Sequence, residues 1–173
     1  VDAANPNYSS SDGVLYNKNQ TEIVWCPKSK AKGTFTLPDT VTKIGDYAFY
    51  YAANLTGITI PAKVTSIGNY AFYNTSLTQA GFKIEENSKL ESVGDSAFYW
   101  AGFTSFTFPE GVKSIGKNVF DRCTTLKTVN IPASVENISD GIFMGEIAPN
   151  GITTINVDED NPYYSAENGV LFN

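Results

Sequence analysis

The chain has 173 residues, a formal net charge of −6 and no histidine. Its densest basic run, Lys28, Lys30 and Lys32, alternates with neutral residues, so nucleic acid is an electrostatically poor partner. With 42% hydrophobic residues it can fill a continuous core, which excludes disorder, and no apolar stretch approaches the roughly 20 residues that membrane insertion as a helix requires.

The chain opens at Val1 without an initiator Met or a charged-then-apolar leader, so any signal peptide is expected to have been removed or to lie outside this sequence. Gly13-Val14-Leu15-Tyr16 and Glu22-Ile23-Val24-Trp25 are apolar runs around the polar turn Asn17 to Gln20. They predict a β-hairpin insertion near the N-terminus, with Trp25 covering core beside Phe35 and Leu37. Residues 1–34 thus read as an irregular island.

Between residues 35 and 150 a string I-P-x-x-V-x-x-I-G-x-x-A-F recurs in about five copies of 22–26 residues. Gly45, Gly68, Gly94 and Gly116 mark one point at spacings of 23, 26 and 22, and Phe49, Phe72, Phe98, Phe120 and Phe143 follow in step. Such a period marks a solenoid, each copy being one coil. In the second copy Ile58 and Ile60 alternate with Gly57 and Thr59, as in a half-buried strand. Pro61 ends that strand, Val64 and Ile67 turn inward, and Gly68 makes a corner. Asn69 stands where a helix N-cap would, and Tyr70-Ala71-Phe72 read as one helical turn. The fourth copy repeats the inward positions as Phe103, Phe106, Phe108, Val112, Ile115, Val119 and Phe120; the fifth as Leu126, Val129, Ile131, Val135, Ile138, Ile142 and Phe143. One coil buries too little to offset its ordering, so the coils must stack, and the five phenylalanines are expected to form an interior column.

The third copy has Glu85 where the others have proline. Its extra residues are expected to bulge from the surface as Glu85-Glu86-Asn87-Ser88. Residues 157–173 repeat residues 1–17: Asn161-Pro162 matches Asn5-Pro6, Tyr164-Ser165 matches Tyr8-Ser9, Gly169-Val170-Leu171 matches Gly13-Val14-Leu15, and Asn173 matches Asn17. Residues 151–173 are therefore read as the start of a second long-period unit, and the native protein is expected to continue beyond Asn173. The two cysteines, Cys26 and Cys123, lie four coils apart, about 20 Å at strand spacing, too far for a disulfide. Both are expected as free thiols, with Cys123 packed inward.

The repeated cores at 38–49, 61–72, 109–120 and 132–143, with the N-P-x-Y…G-V-L islands at both ends, resemble the BspA-like class of leucine-rich repeats of bacterial surface proteins. Ser139 in place of glycine, Glu85 in place of proline, and the stretch 145–150 depart from that pattern. The resemblance implies an α/β leucine-rich-repeat solenoid, right-handed, with a short parallel sheet on one face and short helices or turns opposite. It also implies a secreted or cell-surface location, a role in adhesion, and no catalytic residues.

The residues themselves agree on the last point. Without histidine the usual Ser-His-Asp and Cys-His systems are missing, two distant cysteines are too few for most zinc sites, and no phosphate-binding loop motif occurs. Asp158-Glu159-Asp160 and Glu85-Glu86 read as solvated turns, not calcium or glycosidase sites. No cofactor, metal or enzymatic activity is expected.

Two surfaces remain as candidates. The outward positions of the strands, Thr36, Thr59, Lys83, Ser105, Thr107, Thr128, Asn130 and Asn156, form a broad polar face expected to recognise a protein partner. Tyr50, Tyr73 and Tyr99 each follow the core phenylalanine and should align from coil to coil, beside a second row of Tyr47 and Tyr70 and with Tyr51 and Trp100 alongside. That edge reads either as a structural ladder or as a glycan platform. A spacer within a larger surface protein is the remaining alternative.

Overall fold

A computed structural model of the chain describes residues 1–143 and 151–173. The departure at 145–150 lies outside the described residues.

Each coil carries two strands, joined at a proline corner in all but the third. Leu55–Ile60 ends at Pro61, which has no N–H for a ladder, and Val64 N–H closes the turn on Pro61 O at 3.0 Å. The chain then enters the two-residue strand Ser66–Ile67, whose counterparts are Lys43–Ile44, Ser92–Val93, Ser114–Ile115 and Asn137–Ile138. These pair in parallel and in step. With Tyr8–Ser11, Val14–Asn17 and Glu22–Trp25 they make one eight-stranded sheet. The longer strands form two separate three-stranded parallel sheets. One holds Gly33–Phe35, Leu55–Ile60 and Phe82–Ile84; the other holds Ser105–Thr107, Thr128–Ile131 and Thr154–Val157.

The third side of the coil corrects the α/β expectation, because no helix occurs among the described residues. Tyr47, Tyr70, Ser96 and Asn118 have φ between 51 and 58°, and Tyr51, Asn74, Trp100 and Arg122 between 52 and 62°. A left-handed residue every four positions cannot belong to a right-handed helix. Alternate N–H groups instead point along the stack: Tyr47 donates to Asn69 O, Phe49 to Ala71 O and Tyr51 to Tyr73 O, at 2.8–2.9 Å. The intervening groups close four-residue turns, such as Tyr50 N–H to Tyr47 O at 3.1 Å. The backbone is thus satisfied between coils, where a helix would satisfy it locally.

The interior is the expected column. Phe49, Phe72, Phe98, Phe120 and Phe143 stack with centroids 5.2, 5.6, 6.0 and 6.4 Å apart and planes within 15° of parallel. The inward positions of the fourth coil are all buried, and those of the fifth are buried except Ile138 and Phe143, which pack half-buried against the core.

The glycine column has a cause other than backbone freedom. A Cβ on Gly94 would lie 2.7 Å from Asn69 N and from Gly68 C, so the corner glycines let adjacent coils approach. Asn69 caps no helix. Its Oδ1 accepts from the N–H of Asp95 in the next coil at 2.7 Å.

The N-terminal hairpin forms as expected, Val14–Asn17 against Glu22–Trp25, with a further strand at Tyr8–Ser11. Trp25 departs from its expected place: it is 49% exposed. Tyr16 pairs with Ile23 but Leu15 with Trp25, so the register shifts by one residue. This bulge reverses the alternation, sending Trp25 outward and burying Cys26. Both cysteines are free and buried.

Candidate functional site

The long-strand face is interrupted where the sequence suggested continuity. Leu55 and Ile58 are three residues apart, but their third-coil counterparts, Leu77 and Phe82, are five apart. This second insertion, at 78–81, precedes Phe82–Ile84, which does not pair with Ser105–Thr107. Only an isolated bridge, Thr78 to Gly102, joins the third and fourth coils on this side. Gln79 patches the break, its Oε1 accepting from Ser105 N–H at 3.4 Å and Ser105 Oγ–H at 3.2 Å. The cleft left between the sheets has a volume of about 300 Å³, with Phe82, Phe103 and Phe106 in its walls and Gln79 and Thr107 at its mouth. The changed spacing from Leu77 to Phe82 is the signal that sequence reading passed over.

The expected bulge at 85–88 is present. Glu85 N–H donates to Ile60 O at 3.0 Å, its Oε2 accepts from Ala62 N–H at 2.9 Å, and Lys89 N–H reaches Ala62 O at 2.7 Å.

The break divides the polar candidates into two groups. Thr36 and Thr59 lie together over a hollow of about 150 Å³ and are exposed, as is Lys83 on the next strand. Beyond the cleft, Thr107 and Asn156 are exposed, while Ser105, Thr128 and Asn130 are half-buried. Here the side chains form a rail. Asn130 Nδ2 donates to Thr107 Oγ1 at 2.8 Å, and Asn156 Nδ2 donates to Asn130 Oδ1 at 2.7 Å. The rail borders a hollow of about 260 Å³ that includes Glu110 and Asp158.

On the turn side the aromatic rows align as expected. Tyr47 stacks on Tyr70 at 5.0 Å and 3°, and Tyr73 on Tyr99 at 4.3 Å and 11°; Tyr50 lies tilted on Tyr73 at 5.1 Å. Lys28 sits over Tyr51 at 5.3 Å and Arg122 over Trp100 at 6.0 Å, so each end of the patch carries a cation. Loss of water around the ring, reinforced by the Tyr99 hydroxyl, pushes the Tyr73 phenol up to about 12.

A hollow of about 450 Å³ follows the short strands past Ser66, Ser92 and Ser114 and the corner glycines. It is lined chiefly by small neutral residues. Among the described residues no cluster of three or more His, Cys, Asp or Glu side chains could hold a metal ion, and no helix is long and apolar enough to cross a membrane.

Residues 28–150 match, in six copies, the sequence family described as the BspA type leucine rich repeat region. No curated protein matches the chain. Among solved structures, a leucine-rich repeat protein from Eubacterium ventriosum is 28% identical with a TM-score of 0.76, over 97% of this chain and 46% of that one. The pneumococcal vaccine antigen PcpA shares the fold at 19% identity and a TM-score of 0.64, over 95% and 51%. A leucine rich cell surface protein from Faecalibacterium prausnitzii does so at 23% and 0.56, over 98% and 59%. The chain thus spans about half the length of these relatives.

Proposed function

Because the chain belongs to the BspA-type leucine-rich repeat family, we propose that it is a non-enzymatic recognition scaffold, secreted or held at the cell surface, which binds a protein through its long-strand face. The rail of Thr107, Asn130 and Asn156 carries this reading. Mutual hydrogen bonds hold these side chains in place, so a partner meets donors and acceptors with little ordering entropy left to lose. The adjacent cleft offers phenyl walls for one apolar anchor, the arrangement expected of an interface hot spot. Two proteins of the same fold, one a cell surface protein and the other a vaccine antigen, support surface placement and with it an adhesive role.

The test is a binding screen against host extracellular and bacterial surface proteins, repeated with Thr59→Arg/Thr107→Arg. Loss of binding with an unchanged melting curve is the expected result; unchanged binding overturns the assignment of the face. Hydrolysis of a glycan or peptide panel by the purified chain would overturn the non-enzymatic reading.

A glycan on the edge of Tyr50, Tyr73, Tyr99 and Trp100 is a second reading, supported by the exposure of Trp100 and Tyr50 at 52% and 37%. It requires oligosaccharide to change tryptophan fluorescence, and Tyr73→Ala/Tyr99→Ala to abolish that change. Binding in neither screen would favour the spacer.

A further inference from the structure

One margin of the long-strand face carries charge of a single sign. The two positions that open the corner beyond each long strand include Asp39, Glu85, Glu86, Glu110, Asp158 and Glu159, and no lysine or arginine. Asp39, Glu85, Glu110 and Asp158 are exposed, and among the described residues none of the four pairs with a cation. Lys63 and Lys83 are near in sequence but line none of the hollows along this margin.

Those hollows run into one another. Glu85 borders both the hollow at Thr36 and the phenylalanine-walled cleft, and Thr107 borders both that cleft and the hollow at Asn130. Asp39 lines the first hollow, and Glu110 and Asp158 the last. Coils lie on both sides of the cleft, so neither end of the chain shapes it.

The cleft also presents a main-chain donor. Lys127 N–H donates to Thr104 O at 2.9 Å and Phe108 N–H to Asn130 O at 3.1 Å, so the even-numbered groups of this strand face the fifth coil. Ser105 and Thr107 face the other way. Gln79 Oε1 takes the Ser105 N–H at 3.4 Å, and no strand among the described residues pairs with that edge to take the Thr107 N–H.

On the premise that the long-strand face binds a protein, we propose that this margin is a docking groove for an extended basic segment of that partner. An aromatic or large aliphatic side chain of the segment fills the cleft against Phe82, Phe103 and Phe106. A carbonyl beside it accepts from the Thr107 N–H. Lysine or arginine on either side meets carboxylates that have no cation of their own. From the first coil to the sixth the margin covers five steps of ~4.8 Å, about 24 Å, which about seven extended residues span. Alternate side chains of such a segment share a face, so its cations stand at even offsets from the anchor.

The probe is a fluorescently labelled nonapeptide with phenylalanine at its centre, lysine at alternate positions to each side, and serine between. Anisotropy reads its binding to the purified chain, and amide NMR reads its place. Saturable binding is expected, with the Thr107 N–H shifted and slowed in exchange. Serine in place of the central phenylalanine, or Asp39→Lys/Glu110→Lys in the protein, should each weaken binding about tenfold or more. Raising the ionic strength from about 0.01 to 0.15 M should weaken it too, as the Debye length falls from about 30 to 8 Å. Both substituted carboxylates are exposed, so the variant is expected to keep its fold, which circular dichroism checks. Glu91→Lys/Glu136→Lys makes the same change of charge at exposed residues beside the short strands and should leave binding unchanged. Absence of saturable binding, indifference to salt, equal binding of the serine-centred probe, or equal weakening by the Glu91/Glu136 pair overturns the proposal. A protein partner that is lost with Thr59→Arg/Thr107→Arg but keeps full affinity for Asp39→Lys/Glu110→Lys overturns the basic segment while leaving the face assignment intact.

Discussion

The side-chain Oδ1 of Asn69 accepts a hydrogen bond from the backbone N–H of Asp95, 26 residues further along and one coil away, at 2.7 Å. The N–H of Asn69 is itself held by Asp46 Oδ1 at 2.7 Å, and Asp95 Oδ1 passes the pattern on to Lys117 N–H at 3.0 Å. Each coil's corner is therefore closed by its predecessor. Asn69→Ala, which leaves the Asp95 N–H without its partner, should destabilise by about 1–3 kcal/mol. Asn69→Asp, which keeps an acceptor, should lose less. Urea denaturation distinguishes them, and equal losses would contradict the role assigned to Oδ1.

A corner glycine and one outside the corner column should respond unequally to an added methyl. On Gly94 it would lie 2.6 Å from Asn69 Oδ1 and 2.7 Å from the backbone beneath; on Gly102 its nearest neighbour is Leu77 O at 3.4 Å. Gly94→Ala is expected to destabilise by about 1–3 kcal/mol through overpacking, and Gly102→Ala by about 0.5 kcal/mol or less. Thermal melts of the two variants supply the comparison. The opposite ranking would mean that coil spacing is not what requires glycine at position 94.

Restoring the repeat's own consensus at position 85 should be harmful. Glu85→Pro removes the N–H that bonds Ile60 O at 3.0 Å and the carboxylate that bonds Ala62 N–H at 2.9 Å. With each hydrogen bond contributing about 0.5–1.5 kcal/mol, a loss of about 1–3 kcal/mol is expected. A stabilised variant would show that the third coil tolerates the standard corner.

Burial pushes both thiols up from 9.0 to about 12, with Lys30 partly opposing the shift at Cys26. Native protein at pH 8 should therefore react with neither thiol toward a disulfide reagent, while unfolded protein should show two reactive groups. Between pH 9 and 12 the unfolded chain binds fewer protons than the native one. Stability that is fully present below pH 9 is accordingly lost as pH rises toward 12. Rapid labelling of the native chain, or stability rising over that interval, would contradict the buried placement.

The parts read correctly from sequence are those that a strict period protects. Phe49, Phe72, Phe98, Phe120 and Phe143 had to share one environment because their neighbours recur at the same offsets, and Phe72 lies within 1° of parallel to Phe98. The helical reading of Tyr70-Ala71-Phe72 failed because short-range pattern does not report φ. Tyr70 at 54° and Asn74 at 52° adopt the left-handed conformation for hydrogen bonds made to another coil. Trp25 was misplaced by a single bulge, since one extra residue exchanges the two faces of a strand. Of the candidate surfaces, the aligned tyrosines were legible as a row. The link from Thr107 to Asn130 to Asn156 was not, because it depends on rotamers and on register between coils.

By itself, the amino-acid order determined that this chain is a stack of coils with a phenylalanine axis, since period and residue class are local properties repeated along the chain. Whether the outer face would be continuous was decided only in three dimensions. Two residues are inserted before Phe82, the strand they precede does not pair with its neighbour, and the cleft lies between Phe82 and Phe106. The one-residue register shift between Val14–Asn17 and Glu22–Trp25, which turns Trp25 outward, belongs to the same category. Identical sequence signals acquire different surroundings according to what lies beside them, because burial is a property of neighbours and not of the residue.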